Sequence, residues 1–378
     1  MQLLFYYILV VLIYILALPI LIILSFKQKY KISLPARFFL KNNKPFENEG
    51  IWFHACSLGE VNSLKTIFKE IKDEIINVSV ITGTGYSSAK EVNGLHVKFL
   101  PFEIFLPFWI KKQKTLVVTE AELWPLLFVV SKLKGTKTVL INARVSDNSY
   151  NSYKKFAWFY RWIFSSVDEV FAQSEIDKNR LKELGAKSVR VNGNIKTFSK
   201  PVVSKEYKKP QKKVVVMASS HEGEEQMLLE QLNLKKDEML IVVPRHPERF
   251  DSVDKLLREF SEKQKLSYAK INDDLKTDIV LCDKMGELVN LFAIADTVLL
   301  CGSFKDGIGG HNPLEPAFWG CKIVSGKYTF NQKALFSLVE NIKVCSIDEL
   351  KNINFEDIMP SKILHVGDMN TLLHEITN

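Results

Sequence analysis

Two carboxylates, each set directly after an apolar run, offer acid–base chemistry. Glu60 closes His54-Ala55-Cys56-Ser57-Leu58-Gly59-Glu60, which continues from Ile51–Ala55. A glutamate at the carboxyl end of a strand is well placed as a general base. Ser57 and Glu60 are also spaced as a capping box for the helix that follows, so base and cap are two readings of one residue. Glu120 opens Glu120-Ala121-Glu122-Leu123-Trp124-Pro125, after the run Leu116–Thr119. Paired carboxylates are costly in a crevice unless a reaction uses them, whereas a solvated loop over Trp124 and Pro125 accommodates them without cost.

The rear half carries groups suited to phosphate. Pro244-Arg245-His246-Pro247-Glu248-Arg249 follows the run Met239–Pro244. Two guanidiniums and an imidazole at a strand end suit a phosphate clamp, with a basic surface loop as the plainer alternative. Ser219 and Glu222 are again at capping-box spacing, and Met285-Gly286-Glu287-Leu288 stands at another helix start. In Gly309-Gly310-His311-Asn312-Pro313-Leu314-Glu315 the glycine pair permits close backbone approach. A helix after Asn312 presents a positive terminus to phosphate, and Glu315 is placed to accept hydrogen bonds from a ribose diol. The sequence contains no GxGxxG or Walker fingerprint, no DxD metal pair near a strand end and no CxxC pair.

These groups need a scaffold, and the pattern supplies one. Candidate strands are Ile51–Ala55, Val78–Thr82, Val97–Leu100, Leu116–Thr119, Thr138–Asn142, Glu169–Ala172 and Val189–Asn192. They are short, apolar and mostly unalternating, as parallel strands covered on both faces are. Helical stretches such as Val61–Ile71 and Asp177–Leu184 fall between them, the second stopped by Gly185. A polar, lysine-rich segment with two prolines, Thr197–Lys213, reads as a linker. The alternation then resumes at Val214–Ala218, Met239–Pro244, Asp278–Cys282, Thr297–Cys301 and Lys322–Ser325. The expectation is an α/β chain of two Rossmann-like domains facing across a cleft, a common seat for a nucleotide-bearing ligand.

The chain has 378 residues, 47% of them hydrophobic, ample for two large cores. Five scattered cysteines exclude a disulfide scaffold. Leu3–Phe26 is an unbroken apolar run of 24 residues, about 36 Å long as a helix and enough for a hydrocarbon core of about 30 Å. Lys27, Lys29 and Lys31 follow it, which places the remainder on the cytoplasmic side. Residues 1–200 carry a net charge of +12 and residues 201–378 a net charge of −4, so the half next to the apolar run suits an anionic leaflet. Nucleic-acid binding is not expected, for the charge is dispersed and no recognition motif is present. The domain expectation is therefore a membrane anchor at 1–27, a first domain at 28–200 and a second at 201–378.

Read in order, HACSLGE, EAELWP, NARVS, AQSEIDKNRLKELGA, NGNIK, ASSHEGEE, PRHPERF, MGEL and GGHNPLEPA resemble the motif set of the lipid A Kdo transferases. These are 3-deoxy-D-manno-octulosonic acid (Kdo) transferases of lipopolysaccharide synthesis, glycosyltransferase family 30. The resemblance runs from the apolar start to about Asn331. It implies a GT-B-type, metal-independent, inverting glycosyltransferase at the cytoplasmic face of the inner membrane, with CMP-Kdo as donor, a lipid A precursor (lipid IVA) as acceptor and no cofactor. By the same resemblance Glu60 is the proton acceptor, and Glu120 and Lys196 stabilise the transition state. Pro244, Arg245, Met285, Gly286, Glu287, Asn312, Pro313, Leu314 and Glu315 fall on CMP-binding motifs. Ala121 stands where the family often has threonine. Two other readings make different predictions: a GT-B enzyme using a UDP-sugar on a membrane lipid, and a membrane-tethered nucleotide-binding protein without turnover.

Overall fold

A computed structural model describes residues 2–120, 122–198, 200–364 and 367–378; Ala121 lies outside them. The chain divides into two compact units, 1–199 with 366–378 and 200–365.

In the first unit seven short runs form strands: β1 (Ile51–Ala55), β2 (Ile76–Val80), β3 (Leu95–Phe99), β4 (Thr115–Thr119), β5 (Lys137–Ala143), β6 (Glu169–Ala172) and β7 (Val189–Val191). They make one parallel sheet in the order β3-β2-β1-β4-β5-β6-β7. Every residue of β1, β2 and β4 is buried, because helices cover both faces and no side chain meets water. One core holds Trp52, Leu116, Phe128 and Phe164; the other holds Phe53, Leu64, Val78 and Phe171. The chain runs outward from β1 to β3 and then returns to β4 beside β1. That reversal leaves a crevice at the carboxyl ends of β1 and β4, where open α/β sheets bind ligands.

The second unit repeats the plan with β8 (Lys213–Ser220), β9 (Glu238–Pro244), β10 (Tyr268–Lys270), β11 (Ile279–Leu281), β12 (Thr297–Leu300), β13 (Lys322–Ser325) and β15 (Ile342–Val344). Their order is β10-β11-β9-β8-β12-β13-β15, again parallel, with the reversal between β8 and β12. A two-stranded antiparallel ribbon, β14 (Val339–Glu340) with β16 (Lys362–Ile363), lies outside that sheet. β10 and β15 are partly exposed edge strands of three residues each, absent from the sequence expectation.

The expected boundary of the second domain at 201–378 is corrected at its end. The helix Met369–Thr377 belongs to the first unit, where Leu372 and Ile376 are fully buried in the core with Phe53. Thr115 Oγ1 donates to the Ile376 carbonyl at 2.8 Å, and Lys137 pairs with Glu375.

The apolar start forms one helix, Gln2–Ser25, long and apolar enough to cross a membrane and a candidate anchor. Its first half does not stand free of the unit. The Tyr6 hydroxyl donates to Glu103, Tyr7 to the Ile104 carbonyl at 3.0 Å and Tyr14 to the Phe38 carbonyl at 2.6 Å. The Tyr6 ring also meets Phe159 and Trp162.

Candidate functional site

Glu60 and Glu120 come from chain segments 60 residues apart, yet each leaves one of the two strands that flank the reversal in the first sheet. Glu60 sits in the first turn of the helix Leu58–Glu70, whose N-cap is Ser57. Its backbone N–H donates to Ser57 Oγ at 3.4 Å, so the N-cap half of the expected capping box is made, while the carboxylate accepts the Cys56 N–H in place of the Ser57 N–H. Oε1 accepts from Ser57 Oγ at 2.8 Å, while Oε2 accepts from the Cys56 N–H at 2.8 Å and from Thr119 Oγ1 at 2.9 Å. Thr119 is the last residue of β4, so this bond ties the end of one central strand to the group leaving the other. The Ser57 hydroxyl thus both caps the helix and helps to aim the Glu60 carboxylate.

Glu120 follows Thr119 in a left-handed conformation, φ 57°, which a non-glycine residue adopts only at a cost. The turn directs the half-buried carboxyl away from strand geometry. Burial first, and the Glu60 carboxylate second, push that carboxyl above the ordinary carboxylate range; Lys196 and Arg144 pull it back. The structure thus brings Glu60, Glu120 and Lys196 into one electrostatic neighbourhood. Sequence reading missed the residues that hold this arrangement. Asn142, also left-handed at φ 54°, donates to Glu120 Oε1 at 3.4 Å and accepts from the Ile195 N–H at 3.2 Å. Gln173 bonds the Asn142 carbonyl at 3.0 Å and takes a bond from Asn194 at 3.1 Å, and Asn194 caps the turn that carries exposed Lys196. Their signal was positional: Asn142, Gln173 and Asn194 all lie just past or at the ends of expected strands.

In the second unit the reversal lies between β8 and β12, and two histidines bridge it. His221 Nε2 and His311 Nε2 are 2.9 Å apart, with rings stacked at 5.1 Å, and His246 meets the His221 ring edge-on at 5.5 Å. A single shared proton satisfies the contact between the two nitrogens. Burial and neighbouring cations push His311 down to about 4 and lower His221 as well. Gly302, φ 71°, leaves room for the His311 ring: a Cβ there would stand 2.8 Å from His311 Cδ2. Buried Glu224 gathers the backbone N–H groups of His221, Gly302 and Phe304.

Around this pair the expected phosphate groups separate into two sets. Arg245 is exposed at the end of β9, and its guanidinium makes no hydrogen bond or ion pair among the described residues. Glu315, raised by burial, feels Arg245 and accepts from Asn312 Nδ2 at 3.2 Å, so Arg245, Asn312 and Glu315 are neighbours. Pro244, Pro313 and Leu314 are buried supports beneath them. Arg249 is committed elsewhere: it forks onto buried Glu225 at 2.7 and 2.9 Å and reaches the Ser220 carbonyl. The clamp expected from two arginines therefore reduces to one.

Three further expectations change. The helix after Asn312 is four residues long, Leu314–Ala317, too short to carry much of a dipole. Ser219 is not a cap; it lies within β8, one residue before its end, with φ 57°, and the next helix starts at Glu224 from Gly223. The glycine pair is not an open cradle, since a Cβ at Gly309 would meet Asn331 Nδ2 at 2.5 Å and Phe330 at 2.8 Å. Met285 is exposed, Gly286 has φ 84°, and the Glu287 carboxylate accepts from Tyr207 and Asn290, each at 2.9 Å. Among the described residues no hydrogen bond joins these three to Arg245, Asn312 or Glu315.

Two Rossmann-like units in one chain, each with polar groups at its own strand reversal, are the plan of the GT-B glycosyltransferases. Residues 32–199 match the family described as 3-Deoxy-D-manno-octulosonic-acid transferase (kdotransferase). A 3-deoxy-D-manno-octulosonic acid transferase of Haemophilus influenzae is 30% identical over 349 residues, covering 85% of this chain and 81% of that protein. A bifunctional glycosyltransferase/methyltransferase of Fusobacterium nucleatum is 34% identical over 334 residues, covering 81% of this chain; the chain spans only about half of that relative's length, 51%. Among solved structures, the C-terminal CMP-Kdo binding domain of WaaA from Acinetobacter baumannii is 27% identical, with a TM-score of 0.33, covering 44% of this chain and 88% of that one. The chain belongs to the 3-deoxy-D-manno-octulosonic-acid transferase family.

Proposed function

We propose that the protein transfers Kdo with inversion from CMP-Kdo to a lipid A precursor, lipid IVA, in lipopolysaccharide synthesis. The observation that carries the reading is the Glu60 carboxylate, held by three donors at the strand reversal of the first unit beside half-buried Glu120. In this mechanism Glu60 takes the proton of the attacking sugar hydroxyl, a role that typically contributes about 10²–10⁴-fold. Its three donors fix the rotamer, so the carboxylate needs no reorientation when the acceptor arrives.

Bond breaking between the anomeric carbon and the phosphate oxygen leaves negative charge on CMP and positive character on the sugar ring. Arg245, unpaired and exposed, meets the phosphate; Asn312 and Glu315 receive the ribose and cytidine side. Pro244, Pro313 and Leu314 hold those groups in place, and Met285, Gly286 and Glu287 border the nucleotide. Lys196 offsets developing negative charge, and Glu120 balances the ring.

The membrane setting follows from the acceptor, a lipid that stays in its bilayer. The helix Gln2–Ser25 anchors the first unit at the cytoplasmic face of the inner membrane, and the net charge of +12 over residues 1–200 favours an anionic leaflet. Exposed Phe108, Leu133, Phe156 and Trp158 extend the apolar surface beside that helix.

The test is incubation of the purified chain with CMP-Kdo and lipid IVA, with products weighed by mass spectrometry. An added Kdo mass supports the reading. A thermal shift with UDP and none with CMP points to a UDP-sugar enzyme, and binding of CMP without any product points to a binding protein.

A further inference from the structure

One cluster beside Glu60 has no part in the proposed transfer. His54, the fourth residue of β1, is fully buried. Its Nδ1 lies 3.1 Å from the Ser79 carbonyl oxygen and 2.9 Å from Ser79 Oγ, which itself accepts the Trp52 indole N–H at 2.8 Å. A carbonyl oxygen only accepts, so the tautomer with its proton on Nδ1 satisfies that contact. The opposite tautomer would bury an Nε2–H with nothing to receive it, because Nε2 has no hydrogen-bond partner. Nε2 therefore presents a bare lone pair inside the protein. A backbone carbonyl holding Nδ1–H while Nε2 is left open is the arrangement that orients metal-binding histidines.

Two further ligand atoms lie close to the His54 ring. The Cys56 sulfur and a Glu122 carboxylate oxygen lie with His54 nitrogen in a group whose atoms are all within 4.8 Å of one another. Burial first and Glu122 second push the Cys56 thiol up, and the Trp124 indole N–H holds Glu122 Oε2 at 2.8 Å. Bonds of about 2.0–2.3 Å in a tetrahedral site set ligand spans of roughly 3.3–3.7 Å, so closure shortens each span by at most about 1.5 Å. Half-buried Glu122 lies on the loop after β4, where that adjustment is available. The charged groups facing the cluster are Arg37, Glu60 and Glu122. Once the thiol ionises, the negative groups outnumber Arg37 and supply the field a dication needs.

We propose that His54, Cys56 and Glu122 form a binding site for a thiophilic divalent cation of the zinc class, beside Glu60. Nitrogen, sulfur and carboxylate oxygen are the ligand types such ions prefer, and three protein ligands leave a fourth position for water. Binding exchanges the Cys56 S–H bond for a sulfur–metal bond; one proton leaves to the buffer and no oxidation state changes. The site is separate from the transfer chemistry, which is proposed without a metal. The Cys56 N–H, a donor to the Glu60 carboxylate, is the link between the two.

Cobalt(II) is the probe. Titrated into the reduced, detergent-solubilised full chain, it gives one equivalent of bound cobalt with a thiolate-to-cobalt charge-transfer absorption in the near ultraviolet, bleached by zinc. The variant Cys56→Ser loses that absorption, and Glu122→Gln weakens cobalt at least about tenfold, the scale seen when a metal's immediate surroundings are altered. The four other cysteines remain in both variants as internal controls. Absence of the absorption in the wild-type chain, its persistence in Cys56→Ser, or unchanged affinity in Glu122→Gln overturns the assignment. Each readout is independent of Kdo transfer and stands or falls without it.

Discussion

Replacing Glu60 by glutamine separates the base role proposed for its carboxylate from the helix cap that its backbone N–H makes with Ser57. The amide oxygen takes the place of Oε2 and keeps both the Cys56 N–H and Thr119 Oγ1, while the amide N–H₂ faces Ser57 Oγ, which can accept. The helix cap, Glu60 N–H to Ser57 Oγ, is untouched. What is lost is charge assistance: bonds to a charged group are worth about 1.5–3 kcal/mol and neutral ones about 1, so the cost to folding is about 1–2 kcal/mol. The catalytic cost differs in scale. Loss of a general base removes about 10²–10⁴-fold in rate, or about 3–5 kcal/mol of transition-state stabilisation. Ser57→Ala gives the complementary case: it removes the cap acceptor, about 1 kcal/mol, and one of the carboxylate's three donors, while the Cys56 N–H and Thr119 Oγ1 still hold a charged carboxylate. Rates of Kdo transfer for the three proteins, alongside urea unfolding, test the distinction. If Glu60→Gln retains more than a tenth of the wild-type rate, or if Ser57→Ala loses as much activity as Glu60→Gln, Glu60 is a cap and the base lies elsewhere.

Three other outcomes follow from the structure. Arg249→Ala strands the buried Glu225 carboxylate and is expected to destabilise the chain by about 3–5 kcal/mol in urea unfolding, with Arg249→Ala/Glu225→Gln recovering part of it; equal stability of single and double variants would contradict the pairing. His311 has its native pKa pushed down to about 4, so the unfolded chain binds more protons between there and about 6.5, and stability must fall as pH drops through that window. His311→Gln should flatten this part of the stability–pH curve; an unchanged slope would count against it. Deleting residues 2–25 should move the protein from the membrane to the soluble fraction on cell fractionation, and retention in the membrane would shift the anchoring role to the exposed apolar surface around Phe108 and Trp158.

Much of the scaffold was legible because parallel strands buried on both faces read as short apolar runs. Ile51–Ala55, Glu169–Ala172 and Lys322–Ser325 form strands with the bounds expected. Tyr268–Lys270 and Ile342–Val344 were not legible, since partly exposed edge strands of three residues have too little apolar run to stand out. The site was harder. That Glu60 and Glu120 are neighbours depends on β1 lying beside β4, and strand order is set by long-range packing rather than by local pattern. Arg249 and Arg245 look alike in sequence; only the buried partner Glu225 distinguishes a structural guanidinium from a free one. The His221–His311 contact joins residues 90 apart and likewise becomes visible only when the sheet assembles. The turns at Glu120 and Asn142 carry left-handed backbone on ordinary residues, a feature no residue type announces.

The tyrosine bonds along the first helix have a mechanical consequence. Tyr6, Tyr7 and Tyr14 bolt that helix to the body of the first unit, so there is no slack tether between them. With that helix in a membrane, as proposed above, the unit could not swing on a tether, and Glu60 would keep one height over the lipid. The search for the proposed lipid acceptor would then be two-dimensional, with an encounter rate governed by lateral crowding in the bilayer rather than by bulk viscosity.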